Sequence, residues 1–222
     1  MITYKGIPIY HCDNHVLVAV KPPNMPAQAD ASGDADMLSL MKAYIKEACA
    51  KPGAVYLGLL HRLDRPVGGL MAFARTSKAA ARLSAQLREH TMRREYRAVV
   101  RGDAPEAARL EHLLDRPGGP PQHAALSYAR AGRADGLSLL TVRLETGRKH
   151  QIRRQLALAG LPIWGDARYG GGKPGEQIAL WGERLAFTHP TTGEHLTFHA
   201  PPPQTSPWLY FQIEEQSGGG FI

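Results

Sequence analysis

His61-Arg62-Leu63-Asp64-Arg65-Pro66-Val67-Gly68-Gly69-Leu70-Met71-Ala72-Phe73-Ala74 changes character twice in a short span. An apolar approach runs into a basic turn that carries a single carboxylate. Two glycines then allow close backbone approach before a second apolar run. Asp64 here has two readings. It could cap the turn and pair with Arg62 or Arg65, or it could serve as a reactive group. Surrounded by cations, a lone aspartate stays ionised at neutral pH, which suits a nucleophile better than a general acid.

Outward from this turn, three segments have helical period: 37–48, 77–89 and 147–159. Asp36, Thr76 or Ser77, and Thr146 are placed to cap their starts, and Gly160 can close the third in a left-handed conformation. Strands are expected at 15–20, 56–60, 70–74, 95–101, 124–130, 137–144, 185–188 and 195–199. Strands outnumber helices and do not alternate with them. The expectation is therefore an α+β domain, with a mixed, largely antiparallel sheet flanked by a few helices. Pro- and Gly-rich pieces at 51–53, 116–121 and 170–175 are loop-sized, and no repeat is visible.

The 222 residues fit a single domain spanning 1–222, with 214–222 expected to be a flexible tail. Composition is ordinarily globular, at 43% hydrophobic and 21% charged residues, which sets aside a disordered chain or a coiled coil. No apolar run is long enough for a membrane span and no signal segment opens the chain, so a soluble, cytoplasmic protein is expected. Cys12 and Cys49 have no metal or disulfide spacing.

The net charge of +7 is unevenly placed. Residues 61–101 hold ten arginines and lysines against three acids, Asp64, Glu89 and Glu95, and a second cluster follows at Arg148, Lys149, Arg153 and Arg154. Nine of the first ten bases are arginine, whose planar fork matches phosphate and stacks on bases. Either cluster could be a solvated face, but the bias favours a polyanion. His195 and His199 are too far apart along a strand to share a metal ion. Gly170 to Gly175 formally matches a dinucleotide-loop pattern but follows no clear strand and contains Pro174, so a loop is the better reading. Neither a phosphate-cradling GxxxxGK[ST] nor a nucleophile elbow occurs.

His61-Arg62-Leu63-Asp64 followed by Gly69 resembles the signature of the RluA-type RNA pseudouridine synthases. The likeness recurs in order. Arg94-Glu95-Tyr96-Arg97-Ala98 resembles the family's tyrosine strand, and Thr146-Gly147-Arg148-Lys149-His150-Gln151-Ile152-Arg153 its TGRxHQxR helix. Gly160-Leu161-Pro162-Ile163-Trp164-Gly165-Asp166-Ala167-Arg168-Tyr169-Gly170 resembles its GxPIxGDxxYG loop, and Phe187 to Glu194 its last hairpin. Even the opening, with Lys21-Pro22-Pro23, is similar.

The resemblance implies conversion of a uridine within ribosomal or transfer RNA to pseudouridine, without metal or cofactor, by a monomeric domain that needs no protein partner and no membrane. It implies that Asp64 is the nucleophile, attacking either ribose or uracil, that Arg153 pairs with it, and that Tyr96 stacks on the target base and is a candidate proton acceptor from carbon 5. Arg62 would fill the gap left by the flipped nucleotide, while His61, Arg65, Arg148, Lys149, His150 and Gln151 would contact RNA nearby. An appended amino-terminal RNA-binding domain is not expected, since the catalytic resemblance already begins at Tyr10. Three positions depart from the family pattern: Val67-Gly68-Gly69 in place of a Thr-Ser-Gly-like turn, Gln155 in place of a histidine, and Trp181 in place of the histidine of Leu-His. Two other readings compete. One is a catalytically silent RNA-binding module of the same fold, and the other is an aspartate-nucleophile hydrolase, whose second carboxylate or metal ligands have no counterpart in the sequence.

Overall fold

In the computed structural model, residues 2–50, 52–173 and 175–211 are described; the expected tail at 214–222 lies outside them. The strands are β1 (Ile2–Tyr4), β2 (Ile7–Cys12), β3 (Val16–Lys21), β4 (Gly58–Leu59), β5 (Gly68–Ala74), β6 (Arg93–Arg101), β7 (Ala107–Arg116), β8 (Gly119–Ala134), β9 (Leu137–Leu144), β10 (Leu180–Thr188) and β11 (His195–His199). The helices are α1 (Met37–Ala48), α2 (Ser77–Arg88) and α3 (Gln151–Leu158). One sheet runs in the order β1-β2-β3-β5-β10-β6-β9-β8-β7, with β11 on β10 and β4 on β5. Among the described residues only the β5–β10 pairing is parallel. The expected mixed, largely antiparallel α+β architecture is what the chain adopts. Among the described residues no helix is long and apolar enough to cross a membrane.

The parallel seam joins the two halves of the sheet and positions the Asp64 turn. Gly69 lies between Lys21 of β3 and Gly182 of β10. Its φ is +130°, and a Cβ there would fall 2.3 Å from the Gly182 nitrogen. A side chain at 69 would therefore push the halves apart.

Helix starts follow local chemistry at two of three places. Asp36 accepts from the Ser39 amide at 3.0 Å and Thr76 from the Ala79 amide at 3.1 Å. The third helix begins four residues later than expected. The Thr146 hydroxyl is bound instead to Gln151 Oε1 at 2.7 Å, and His150 stands at the cap position. Gly160, at φ +74°, closes that helix as expected. Strands β1, β2 and β7 were not expected. β7 alternates between exposed and half-buried residues with one buried near its end, so its apolar signal is weak. It pairs with β8, which runs through Pro120 and Pro121 where a loop was expected. The prolines are tolerated because this tip of β8 pairs only with β7 and leaves its other edge free.

Candidate active site

The turn after β4 is held from below. Leu63 and Val67 are buried on either side of Asp64, and the Val67 amide donates to the Asp64 carbonyl at 3.0 Å. Lys21 is fully buried at the end of β3. Its ammonium donates to the carbonyls of Pro22 (2.9 Å), Met25 (2.7 Å) and Arg65 (3.1 Å). Burial brings its pKa down to about 7, against the opposing pull of Asp64. Gln177 donates to the Pro66 carbonyl at 2.7 Å. These anchors fix the backbone on both sides of Asp64 while its side chain stays partly open.

Arg153, on the buried face of α3, reaches Asp64 Oδ2 with Nη1 at 3.2 Å. The other side of its fork is taken by Asp166, with Nε and Nη2 each 2.8 Å from a carboxylate oxygen. Arg153 is 6% and Asp166 1% exposed. Burial alone would push the Asp166 carboxyl up. The Arg153 hydrogen bonds and charge, with the amides of Arg168 and Tyr169, outweigh that and hold it below the usual carboxylate range. Arg153 is therefore pinned by a buried partner, which leaves one nitrogen to orient Asp64.

Asp64 opens into a groove of about 860 Å³ with Tyr96 in its lining. Arg62, Arg88, Arg94, Arg148 and Lys149 also line it. Tyr96, buried on β6, is raised by burial and by the Asp64 charge against the opposing Arg94, so its phenol is neutral at neutral pH. Arg94, two residues before it, has a buried Nε with no hydrogen-bond partner among the described residues, and its guanidinium lies beside Gly147.

The structure brings Asp64, Tyr96 and Arg153 together. Arg62, Arg148 and Lys149 stand exposed along the groove, although Arg148 also donates to the His123 carbonyl at 2.9 Å. Arg65 lines the groove, but its fork is taken by Ser32, Asp34 and Asp30. Two residues expected to contact RNA are turned inward instead. His61, only 9% exposed, accepts from the Ala72 amide through Nε2 at 3.1 Å; burial, aided by Arg94, drives its pKa to about 3, so it carries no charge for a phosphate. Gln151, 3% exposed, is spent on Thr146, the Arg148 amide and the Ala125 carbonyl. His150 is half-buried in the lining of the groove and also approaches Asp64, with Nε2 3.8 Å from Oδ1.

Lys21, Arg94, Asp166 and Tyr169 were not singled out from sequence. Lys21, Asp166 and Tyr169 lie within quoted motifs, and Arg94 within the tyrosine strand, but spacing gave none of them a role.

The three sequence departures have structural explanations. Gly68 and Trp181 are register partners across the parallel seam, and a Cβ on Gly68 would lie 2.3 Å from the indole. The tryptophan fills the room that the missing side chain leaves, and its Nε1 donates to the Ala200 carbonyl at 2.8 Å. Gln155 is fully buried and ties α3 to the carbonyls of Leu110 and Ala124, each at 3.0 Å.

A sheet of this topology, with a carboxylate gripped by a buried arginine in a cation-lined groove, has the pseudouridylate synthase fold. The solved structure of Human RNA Pseudouridylate Synthase Domain Containing 4 superposes with a TM-score of 0.73 at 20% identity over 88% of each chain. Residues 15–158 match the family described as RNA pseudouridylate synthase. The Bacillus subtilis (strain 168) protein named Uncharacterized RNA pseudouridine synthase YjbO is 34% identical over 88% of this chain and 72% of its own length. Ribosomal large subunit pseudouridine synthase D of Zymomonas mobilis subsp. mobilis is 31% identical over 89% and 70%. The chain belongs to the RNA pseudouridine synthase family.

Proposed function

We propose that the protein isomerises uridine in structured RNA to pseudouridine, with Asp64 as the nucleophile. The observation that carries this reading is the Asp64 carboxylate at the floor of a basic groove, oriented by an arginine that is itself fixed by Asp166. A preorganised nucleophile in a partly closed site is what the breaking and remaking of a glycosidic linkage requires. The uridine is flipped from its stack into the groove, where Arg62 takes the vacated space and the neutral ring of Tyr96 stacks on the uracil. A neutral phenol is a weak proton acceptor, so Tyr96 is assigned the stacking role. Arg88, Arg94, Arg148 and Lys149 hold phosphates along the groove. Relatives named for the ribosomal large subunit make its RNA the first substrate to offer.

The test incubates the protein and its Asp64→Asn variant with large-subunit ribosomal and transfer RNA transcripts, then quantifies pseudouridine in the digested nucleosides by mass spectrometry. Product from the wild type and none from the variant is the expected result. Salt-sensitive RNA binding with no product from either, on RNA extracted from cells lacking the gene, would instead support a silent binding module.

A further inference from the structure

We infer that His150 is a positioning residue for the nucleophile: Tyr169 fixes its tautomer, and its Nε2–H aligns the Asp64 oxygen that Arg153 does not hold. The inference rests on Asp64 being the reactive group. The backbone gives the first sign. His150 has φ +53°, an unusual conformation for a residue with a side chain, and it stands at the cap position of α3 without making a cap hydrogen bond. Asparagine or aspartate would take the left-handed conformation as readily and could also cap the helix, so helix capping does not account for a histidine there.

The ring geometry gives the second. Nδ1 lies 3.0 Å from the Tyr169 hydroxyl, the two rings meet edge to face at 5.8 Å, and Nε2 points at Asp64 Oδ1 from 3.8 Å. The tautomer follows from electrostatics. An Nε2 lone pair facing an anionic oxygen would be repulsive, so the proton belongs on Nε2, and Nδ1 accepts from the Tyr169 hydroxyl. The remaining gap is short enough to close when RNA fills the groove, as catalytic contacts tighten in the bound state.

Tyr169 is itself well held. Its amide donates to Asp166 Oδ1 at 3.2 Å, and the Arg153 guanidinium sits 5.1 Å from its ring centre. The loop from Asp166 to Tyr169 thus buttresses both groups that reach Asp64: Asp166 sets Arg153 on Oδ2, and Tyr169 sets His150 on Oδ1. With both oxygens directed, the carboxylate keeps one orientation toward the flipped nucleotide. The charged groups facing the imidazole are Asp64 from the catalytic turn, Arg153 from α3, Arg168 from the loop and the neighbouring Lys149. Burial, the largest influence, and the three cations depress its pKa against the pull of Asp64, so the ring is neutral at neutral pH. It is thereby a poor phosphate ligand but a suitable neutral donor.

The experiment has two arms. In the first, kcat and KM are measured against pH for His150→Asn, His150→Gln and Tyr169→Phe. Asparagine reaches only the Nδ1 position, and it should lower kcat about 10- to 100-fold with KM changed less than about twofold. Glutamine places an amide near Nε2 and should recover part of that loss. Tyr169→Phe removes the donor that fixes the tautomer and favours the neutral ring, so kcat should fall and the titration of the His150 ring should move to higher pH. In the second arm, the His150 ring is titrated by NMR in the wild type and in Asp64→Asn. Removing the neighbouring charge should lower its pKa. This arm needs no turnover, so it tests the His150–Asp64 coupling even if the isomerase reading fails. An unchanged kcat in His150→Asn with weaker, less salt-sensitive RNA binding would overturn the inference in favour of an RNA contact. An unmoved titration in Asp64→Asn would overturn it as well.

Discussion

Replacing Asp166 by asparagine removes the charge that holds Arg153 while preserving the side chain's shape. The wild-type pair makes two hydrogen bonds of 2.8 Å between groups that are almost fully buried. Asparagine offers one acceptor oxygen and presents an NH2 to a guanidinium that has only protons to give, leaving a buried cation under-paired. Breaking a buried pair by altering one partner costs about 3–5 kcal/mol, a large part of the roughly 5–15 kcal/mol that stabilises a domain. Urea unfolding at neutral pH measures this directly as a lower midpoint with an unchanged slope. The pH dependence has a definite sign. The native carboxyl is held below its unfolded value, so its contribution is present at neutral pH and is lost as pH falls through the lowered native value. Asp166→Asn should lack that acid loss. Because Arg153 would be free to leave Asp64, kcat should also fall by about 100-fold or more, a loss of orientation at the reacting centre. A variant within about 1 kcal/mol of wild type with unaltered turnover would refute the argument that Asp166 fixes the arginine.

Gly68→Ser should destabilise by about 1–3 kcal/mol or more through the clash with Trp181, and by less in a Trp181→His background; thermal or urea unfolding of the cycle should give a coupling of about 1–3 kcal/mol, and strict additivity would refute the compensation. His61 is neutral in the fold with a pKa near 3, so the unfolded chain takes up its proton first and stability should be lost as pH falls from about 6.5 toward 3, by at most about 1.4 kcal/mol per pH unit. His61→Gln should flatten that part of the urea-midpoint profile, and an unchanged profile would count against the buried neutral ring. Arg94→Ala should weaken RNA binding and reduce the slope of log affinity against log salt by about one, whereas an unaltered slope in fluorescence anisotropy would remove Arg94 from the phosphate track.

Much of the fold was legible because local chemistry and tertiary outcome agree. The period of 37–48, with Asp36 before it, is α1 to the residue, and 137–144 and 195–199 are β9 and β11. The strand before residue 185 was missed because Gly182 and the register shift beside it interrupt alternation in a strand with three neighbours. Asp64, Tyr96 and Arg153 were named from motifs and do converge, but His61 and Gln151 share those motifs and face inward. A motif marks the element and not the side of it that a residue occupies.

Sequence alone determined the three helices, most of the central strands, the basic excess around residue 64 and the family, since these depend on residue order and local backbone preference. Tertiary structure decided the rest. Asp166 lies 13 residues from its partner in the chain yet grips it only because the loop after α3 folds back. Gly68 and Trp181 are departures that make sense as a pair, because the parallel seam places residues from distant parts of the sequence in register. His150 is a neighbour of the nucleophile because the helix starts after it and the left-handed turn brings its ring toward Asp64. Contacts between remote segments leave no period or spacing in the chain, so only the folded packing could assign them.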